Sequence, residues 1–524
     1  TDGEDIFSLF DHNIAYEIRL NRAMEEGMLS DFHYYGVTDL KIDGVVQENK
    51  RDFAFLSSDE RVDKIIKYAR FYGSDNGITR GLVFCSRNEE AKKLAEMFNQ
   101  NGFRSIALSG TSSPEERSHA IHLLESDNLT EKLDYIFTVD IFNEGIDIPK
   151  VNQIIMIRPT DSAIIFVQQL GRGLRKIDDK GYLTVIDFIG NYNNNYLIPI
   201  ALYGDTSYNK DALRRSISSG SRLIPGSSTV NFDEITKAQI FKAIDSANMK
   251  MLSDLKKDYF LLKYKLGRIP LMMDFIEHGS RDPYLYVEYS KSYYNFICKV
   301  ENDTEYDLNN EQVALLSQFS LNINNAKRVE ECIILKELIT HSFLELSQLK
   351  NIIYSKYGYS LTDETIESCI INLNFKFIKK EASVVEYDNK FKLTPAFNRH
   401  LKNDLFKSFL NDNIEYSIYT YDALFSLEHY INGFQLYGKY TRKDVCRILN
   451  WEKNYDSTVY GYKIHRNEVP LFVTYRKEND ISLTTQYNDH FINQEEFAWE
   501  SKAGRRLDSK DVMAIRDANT SGLI

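Results

Sequence analysis

The sequence predicts an α/β domain with a parallel sheet in its N-terminal part. A helical region, a module of three helices and a hairpin, and a small α+β domain are expected to follow. Two observations predict the sheet: from Gly81 onward, short apolar runs alternate with segments of helical periodicity, and residues that favour helix starts stand between them. The chain has 524 residues, which at about 150 residues per domain corresponds to three or four domains.

The elements of the α/β part can be justified in chain order. GLVFCS reads as a buried strand, and Ser86 with Glu89 has the spacing of a capping box for the helix that follows. SIAL reads as the next strand, and Ser113, Pro114 and Glu116 have the pattern of an N-cap, a first-turn proline and a box glutamate. LDYIFTV, NQIIMI and YLTVIDF supply three further strands.

Composition excludes several classes of protein. The 43% hydrophobic and 27% charged residues are typical of a soluble globular chain, and no run approaches the roughly 18 apolar residues of a membrane span. The five cysteines are scattered, so we predict neither a disulfide framework nor a zinc site and expect a cytoplasmic location without membrane contact. A net charge of −12 means that any nucleic-acid contact must be local.

Two segments carry the chemistry. TVDIFNEGIDIP occupies 138–149, and QQLGRGLR occupies 168–175, where two arginines stand three residues apart after an amphipathic run. Because phosphoryl transfer leaves charge on nonbridging oxygens, planar and always protonated guanidiniums are suited to stabilise it. The segments resemble motifs V and VI of superfamily 2 nucleic-acid helicases, and GLVFCS resembles motif IV. The resemblance implies a second RecA-like domain over 61–204 and an ATP-dependent helicase or translocase as the intact protein.

The resemblance also implies roles for individual residues. The implied nucleic-acid contacts are Thr138 and Ser86, the implied nucleotide contacts are Gly145 and Asp147, and the implied catalytic residues are Gln169, Arg172 and Arg175. The arginines would reach a γ-phosphate held by a partner domain. Local structural roles remain open, because Arg172 and Arg175 can cap a helix C-terminus and Asp147 can be a turn carboxylate.

The other half of an ATPase is missing from the sequence. There is no Gly-rich loop ending in Gly-Lys-Ser or Gly-Lys-Thr, and we expect no Asp-Glu pair after a strand to hold magnesium. ATP and Mg²⁺ are therefore expected in the intact protein, with neither held by this chain alone, which should lack ATPase activity. The opening TDGEDIF has no initiator Met, and residues 1–60 resemble the segment that follows motif III. We expect the first RecA-like domain upstream and leave an N-terminal nuclease domain open.

The C-terminal part divides by pattern. A Ser- and Gly-rich stretch predicts a linker over 205–230, and a helical domain is expected over 231–328. Three helices and a hairpin with a turn at Asp388 and Asn389 predict a winged-helix-like module over 329–410. Its third helix, expected over 363–375, carries three acids and no base, which favours a structural or protein-contacting role over reading of a DNA groove. Lysines 376, 379 and 380 remain as DNA candidates.

Residues 411–524 are expected to form the β-rich C-terminal domain. GFQLYGKYTRKDVCRILNW and TTQYNDHFINQEEFAWESK resemble the domain of unknown function found in bacterial superfamily 2 helicases that are fused to a phospholipase-D-like nuclease. A short amphipathic helix places Arg442, Lys443 and Arg447 among its polar positions, and these are candidate nucleic-acid contacts. Trp451 and Trp499 could stack a base, but both could equally fill a core.

The predicted function is thus the C-terminal portion of a helicase, with DNA favoured over RNA and with restriction, repair and phage defence all left open. One alternative is a nonenzymatic nucleic-acid or protein-binding module of a repair or defence complex. Another is a restriction-like nuclease, because Asp489, Glu500 and Lys502 have the spacing of a metal-dependent site. That pattern is weak, since such triples arise by chance in a chain with 76 acids and 64 bases.

Overall fold

A computed structural model describes all residues except 1–6, 14–19, 40, 43–44, 47–57, 140–147, 160–161, 191, 302–307, 378–381, 437, 454, 456–460, 467, 473–489, 492–496, 499–503 and 518–524. The chain divides into two compact units. The first comprises residues 1–270 and 275–282, and the second comprises residues 271–274 and 283–524.

The N-terminal unit alternates strands and helices. Its strands are β1 (Asp31–Thr38), β2 (Lys41–Ile42), β3 (Val45–Val46), β4 (Gly81–Phe84), β5 (Ser105–Ala107), β6 (Tyr135–Thr138), β7 (Gln153–Met156), β8 (Tyr182–Ile189) and β9 (Thr229–Phe232). Its helices are Leu20–Glu25, Asp59–Tyr72, Asn88–Gln100, Pro114–Glu125, Ala163–Gly171, Leu197–Tyr203, Lys210–Ser219, Glu234–Ser246 and Leu252–Leu266, with 3-10 turns at Phe7–Phe10 and Gly220–Leu223. Helix Met272–Glu277 lies at the division between the units.

The C-terminal unit is mainly helical. Its helices are Tyr284–Ser290, Tyr293–Val300, Asn310–Asn322, Glu330–Thr340, Leu346–Tyr357, Asp363–Leu373, Pro395–His400, Asp404–Leu424, Arg442–Ile448 and Lys510–Arg516, with a 3-10 turn at Leu427–His429. Its strands are β10 (Leu344–Glu345), β11 (Val385–Tyr387), β12 (Lys390–Leu393), β13 (Tyr430–Ile431), β14 (Phe434–Gln435), β15 (His490–Phe491) and β16 (Phe497–Ala498).

A seven-stranded parallel sheet organises the N-terminal unit. The strand order is β5-β6-β4-β7-β8-β1-β9, and each neighbouring pair runs parallel. All four residues of β4, β6 and β7 are buried, as expected for central strands covered by helices on both faces. The five strands predicted from GLVFCS, SIAL, LDYIFTV, NQIIMI and YLTVIDF are confirmed, and so is the α/β class.

Two strands of this sheet were not predicted. β1 lies between β8 and β9, so the segment assigned to 1–60 supplies an internal strand rather than only packing on the domain. The linker predicted over 205–230 is wrong, because this stretch contains helix Lys210–Ser219 and the first residues of β9. β9 pairs with β1 in register His33 to Thr229, a contact that joins residues far apart in sequence.

Helix starts were predicted with mixed success. At Pro114–Glu125 the Ser113 hydroxyl accepts from the Glu116 N–H and the Glu116 carboxylate accepts from the Ser113 N–H, which confirms the capping box. The box predicted from Ser86 and Glu89 is wrong. Helix Asn88–Gln100 begins one residue later than that pattern requires, with Arg87 at the N-cap position, and it is Glu90 that accepts from the Ser86 N–H, at 2.8 Å.

A buried ionic cluster lies at the carboxyl ends of the strands. Arg61 donates from Nη1 to Glu90 Oε1 at 2.9 Å and from Nη2 to Asp39 Oδ2 at 3.0 Å, and all three side chains are at most 3% exposed. Arg61 Nη2 also donates to the Ile157 carbonyl at 3.0 Å. The cluster joins the residues after β1, β4 and β7, so a single guanidinium holds that edge of the sheet together.

In the C-terminal unit, helices Glu330–Thr340, Leu346–Tyr357 and Asp363–Leu373 precede the antiparallel pair β11 and β12. β10 joins this pair to give a sheet in the order β10-β12-β11. The turn between β11 and β12 falls at Asp388 and Asn389, as predicted, and Asn389 adopts a left-handed conformation with φ of 57°. The third helix ends at Leu373, and the residues after it from Asn374 to Phe377 are turn rather than strand.

Candidate functional site

The predicted arginine motif begins at the end of a helix that packs on the sheet. Helix Ala163–Gly171 buries Phe166 and Leu170, and Leu174 in the following turn is also buried. These three residues recur every four positions, so they lie along one side of the helical path. The apolar stripe fixes the orientation of the polar residues between them.

The turn after the helix depends on close packing. The Arg172 N–H donates to the Gln169 carbonyl at 3.3 Å, and the Gly173 N–H donates to the Leu170 carbonyl at 3.1 Å. A Cβ on Gly173 would lie 2.4 Å from a Leu183 methyl, so only glycine lets the turn approach β8 this closely. Arg172 occupies the C-cap position of the helix, as the local structural reading anticipated.

The backbone of Arg175 is anchored to the start of β1. Arg175 forms an antiparallel bridge with Leu29, and its carbonyl accepts from the Ser30 hydroxyl at 2.9 Å. The Ser30 N–H donates to the Leu174 carbonyl, also at 2.9 Å. Gln169 is buried, Arg172 is half-buried and Arg175 is exposed. The motif therefore presents its last arginine to solvent from a backbone that is paired with Leu29 and hydrogen-bonded to Ser30.

A buried lysine joins the two motifs, and sequence reasoning missed it. Lys180 Nζ donates to the carbonyls of Pro149 at 2.8 Å, Gly173 at 3.0 Å and Val151 at 3.3 Å. Lys180 is only 8% exposed. Its position in a polar loop before β8 looks like that of an ordinary surface lysine, and only the fold shows that three carbonyls converge on it.

Thr138 lies at the carboxyl edge of the sheet, where the parallel strands end. The arginines lie at the amino edge, where the strands begin. Thr138 ends β6, and its carbonyl accepts from the Cys85 N–H at 2.8 Å. Arg172 and Arg175 instead precede β8, at the amino edge. The Thr138 side chain is fully buried, and its hydroxyl has no hydrogen-bond partner among the described residues. Motif V thus begins at the carboxyl edge and ends, at Pro149, near the amino edge.

Ser86 is placed by the buried ionic cluster. It follows β4 at the carboxyl edge, beside Thr138 in the neighbouring strand, and is half-buried. Its N–H donates to Glu90, whose other oxygen accepts from Arg61. Burial raises the pKa of Glu90 above its usual value, although Arg61 opposes the shift. The structure brings Ser86 and Thr138 to one edge and Gln169, Arg172 and Arg175 to the other.

Several predicted residues lie outside the described part of the chain. These are Gly145, Asp147, Lys379, Lys380, Asp489, Trp499, Glu500 and Lys502. Among the residues that are described, no group of three or more His, Cys, Asp or Glu side chains is arranged to hold a metal ion. None of the described helices combines the length and the apolar character that a bilayer crossing requires.

One Asp-Glu pair does follow a strand, and sequence reasoning missed it. Asp233 and Glu234 come directly after β9. Asp233 is the N-cap of the next helix: it accepts from the Thr236 N–H at 2.7 Å and from the Thr38 N–H at 2.7 Å. These hydrogen bonds outweigh partial burial and lower the pKa of Asp233. The carboxylate therefore serves as a helix cap.

The basic helix of the C-terminal unit is divided between surface and interior. Helix Arg442–Ile448 exposes Arg442 and Lys443. Arg447 is 5% exposed, and its guanidinium donates to the carbonyls of Asn322 and Ile323. The prediction that Arg447 contacts nucleic acid is therefore wrong, because its charge is already committed to backbone carbonyls inside the unit.

Trp451 also belongs to the interior of this unit. It is 5% exposed, and its indole N–H donates to Glu468 at 2.6 Å. The indole packs edge-on against His465. The core-filling interpretation fits Trp451, and no base-stacking role follows from its position.

Comparison with known proteins gives a family match for part of the N-terminal unit. Residues 60–176 match the family described as "Helicase conserved C-terminal domain". The match supports the expected similarity of this segment to the C-terminal region of superfamily 2 helicases. Residues 255–423 match a domain of unknown function, DUF8090, and residues 434–523 match another, DUF3427. The second match confirms that the last part of the chain belongs to a domain of unknown function, as the resemblance suggested.

Two curated relatives with helicase names match this chain over part of their length. The ATP-dependent RNA helicase SrmB of Haemophilus influenzae is 29% identical over 185 residues, which is 34% of this chain and 40% of that protein. IRC3 of Saccharomyces cerevisiae is 26% identical over 137 residues, 26% of this chain and 19% of that protein. The chain therefore spans well under half the length of these relatives.

One of the solved structures that match is "ATP-dependent Type ISP restriction-modification enzyme LlaBIII bound to DNA". The match covers 86% of this chain and 29% of the LlaBIII chain. Its sequence identity is 15% and its TM-score 0.31. A similarity at this level supports no functional assignment.

Proposed function

We propose that this chain supplies the second motor domain of an ATP-dependent DNA helicase or translocase, with a C-terminal region that engages nucleic acid or a partner protein. The observation that carries the proposal is the GRGLR turn. Its backbone is held by Ser30 and by the packing of Gly173 on Leu183, and it presents Arg175 to solvent at the amino edge of the sheet.

The arrangement suits two guanidiniums that act on a phosphate brought by another domain. A stabilising charge must be fixed before the reaction if it is to lower the barrier, and the anchored turn supplies such rigidity. The chain itself contains no Gly-Lys-Ser or Gly-Lys-Thr loop. ATP and Mg²⁺ would therefore be held by a separate phosphate-binding domain, and Arg172 and Arg175 would complete the site from the other side of the cleft.

Nucleic acid would be engaged at the opposite edge. Ser86 follows β4 there, Thr138 ends the neighbouring strand β6, and the part of motif V that the structure does not describe comes soon after Thr138. Thr138 is fully buried, so its hydroxyl would not itself make the contact. In the C-terminal unit, the exposed Arg442 and Lys443 are the candidates for phosphate contact.

We also propose that the three helices and the hairpin of the C-terminal unit form a winged-helix module that contacts protein. The order of helices and of β10, β12 and β11 supports this assignment. Asp363, Glu364 and Glu367 on the third helix are exposed. Three carboxylates on that surface would repel the phosphates of a DNA groove.

The test is ATP hydrolysis by a chain that joins this sequence to its natural phosphate-binding domain. Hydrolysis should require nucleic acid, and single-stranded DNA, duplex DNA and RNA should be compared as activators. Arg172→Ala and Arg175→Ala should each lower kcat by about 10³-fold or more, the range measured for arginines that act on a transferred phosphoryl group.

A matched control is Arg104→Ala. Arg104 is an exposed arginine of the same domain that donates to the Leu129 carbonyl, and its loss should leave kcat unchanged. If the joined chain hydrolyses ATP equally well without Arg172 and Arg175, the helicase mechanism is wrong. A joined chain that binds DNA but hydrolyses no ATP would instead support the nonenzymatic binding module.

A further inference from the structure

Lys180 occupies an unusual environment for a lysine. Its ammonium group lies among the carbonyls of Pro149, Val151 and Gly173 at distances from 2.8 to 3.3 Å, and the residue is 8% exposed. Lysine is almost never buried unless its charge is compensated. Here the compensation includes carbonyl dipoles at the end of helix Ala163–Gly171, where a positive charge is favoured.

The three carbonyls belong to two different motifs. Pro149 is the last residue of motif V, and Val151 follows it before β7. Gly173 lies within the arginine turn, directly after Arg172 and two residues before Arg175. One ammonium group therefore links the end of motif V to the turn that carries the arginines.

We propose that Lys180 is a positioning residue that couples motif V to the arginine turn, so that the arginines are aligned only when motif V is in place. The proposal rests on the function proposed above. Loss of the ammonium would free the Gly173 carbonyl and let the turn shift, and a displacement of about 1 Å at a reacting group can cost about 10²-fold in rate. The effect should fall on kcat, because the arginines stabilise charge that develops in the transition state.

The test uses Lys180→Met in the joined chain that hydrolyses ATP. Methionine keeps most of the unbranched apolar stem and removes the donors. We expect kcat to fall by about 10²-fold while KM for ATP changes by less than about threefold. Lys180→Gln retains an N–H donor group on a shorter stem, so its kcat should lie between those of the parent and Lys180→Met. It serves as the second variant if Lys180→Met does not fold.

Lys132 provides a matched control. It is 5% exposed, and its Nζ donates to the Thr79 carbonyl at 2.7 Å, the Leu133 carbonyl at 3.1 Å and the Asp134 carboxylate at 2.6 Å. Lys132→Met should therefore lower the melting temperature comparably. It touches neither motif in these contacts, so its kcat should stay within about threefold of the parent.

The decisive comparison is made in an Arg172→Ala background. If Lys180 acts through the arginine turn, adding Lys180→Met to Arg172→Ala should lower kcat much less than it does in the parent, because the two residues act as one unit. A parent-like kcat for Lys180→Met, a loss matched by Lys132→Met, or an equal loss with and without Arg172 would overturn the proposal. If Arg172→Ala alone is fully active, the proposed function fails first and this coupling falls with it.

Discussion

Replacement of Arg61 by methionine is the most demanding test of the N-terminal unit. Arg61 is fully buried and bridges Asp39 and Glu90, with the Ile157 carbonyl as a further acceptor. Burial by itself would lower the pKa of the guanidinium, but the two carboxylates more than reverse this and raise it. Methionine fills most of the side-chain volume, so the change removes the charge without opening a large cavity.

The expected decrease in the free energy of unfolding of Arg61→Met follows from the two buried carboxylates that would lose their partner. Removing one partner of a buried ion pair typically costs about 3–5 kcal/mol, because the other charge remains buried without compensation. Arg61 compensates two carboxylates that are at most 3% exposed, so we expect a loss toward the upper end, about 4–5 kcal/mol. This is a large share of the roughly 5–15 kcal/mol that stabilises a typical domain.

The loss should depend on pH. Burial already raises the pKa of Glu90, and without Arg61 its folded-state pKa should rise further. When the pKa of a carboxyl is higher in the folded protein than in the unfolded chain, the protein loses stability as the pH rises between these two pKa values. For Glu the unfolded-state pKa is about 4.3. Arg61→Met should therefore be less destabilising at pH 5 than at pH 8.

Urea unfolding followed by circular dichroism at both pH values measures the effect. Arg104→Met, which removes an exposed arginine, should change stability by less than about 0.5 kcal/mol. Adding Asp39→Asn and Glu90→Gln to Arg61→Met should restore part of the loss, because no buried charge then remains unpaired. If Arg61→Met is no more destabilising than Arg104→Met, or equally so at both pH values, the reasoning about this cluster is refuted.

Two further predictions concern a buried acid and the basic helix. Burial raises the pKa of Asp187 to about 7, although Tyr34 donates a hydrogen bond to it at 2.6 Å. The parent protein should therefore lose stability relative to Asp187→Asn as the pH rises from about 4 to about 7. The total loss in the free energy of unfolding should be on the order of 4 kcal/mol. Parallel urea melts of the two chains check this, and a constant difference across that range would contradict it. Replacing Arg442 and Lys443 together by glutamine should weaken DNA binding and lower its salt dependence by about one to two phosphate contacts, measured as the slope of log K against log salt. An unchanged slope, equal to that of Lys336→Gln in an exposed position elsewhere in the unit, would remove these residues from the DNA interface.

The predictable part of the fold is the part that depends on local pattern. The five strands from GLVFCS to YLTVIDF are continuous apolar runs, which is how strands buried on both faces of a parallel sheet read. The Ser113 capping box needs only neighbours within one helical turn. β1 and β9 escaped prediction because they mix polar and apolar residues and become strands through pairing between positions such as His33 and Thr229.

Among the predicted site residues, too, local pattern gave what could be predicted and tertiary packing decided the rest. The spacing of Arg172 and Arg175 within GRGLR identified a helicase C-terminal region, which the match over 60–176 supports. Helical periodicity could also select the polar positions of Arg442–Ile448. It could not tell that Arg447 points into the unit, because burial depends on which other helices pack there.

By itself, the sequence determined the α/β class of the N-terminal part, its central strands and the motif that marks it as a helicase region. Only the tertiary structure decided that Thr138 and the arginines lie at opposite edges of one sheet, that Arg61 holds the carboxyl edge and that Lys180 joins motif V to the arginine turn. The physical reason is that strand and helix patterns arise from neighbours along the chain. A buried charge is stabilised by partners that the chain brings together only when it folds, as when Pro149 and Gly173 meet at one ammonium group.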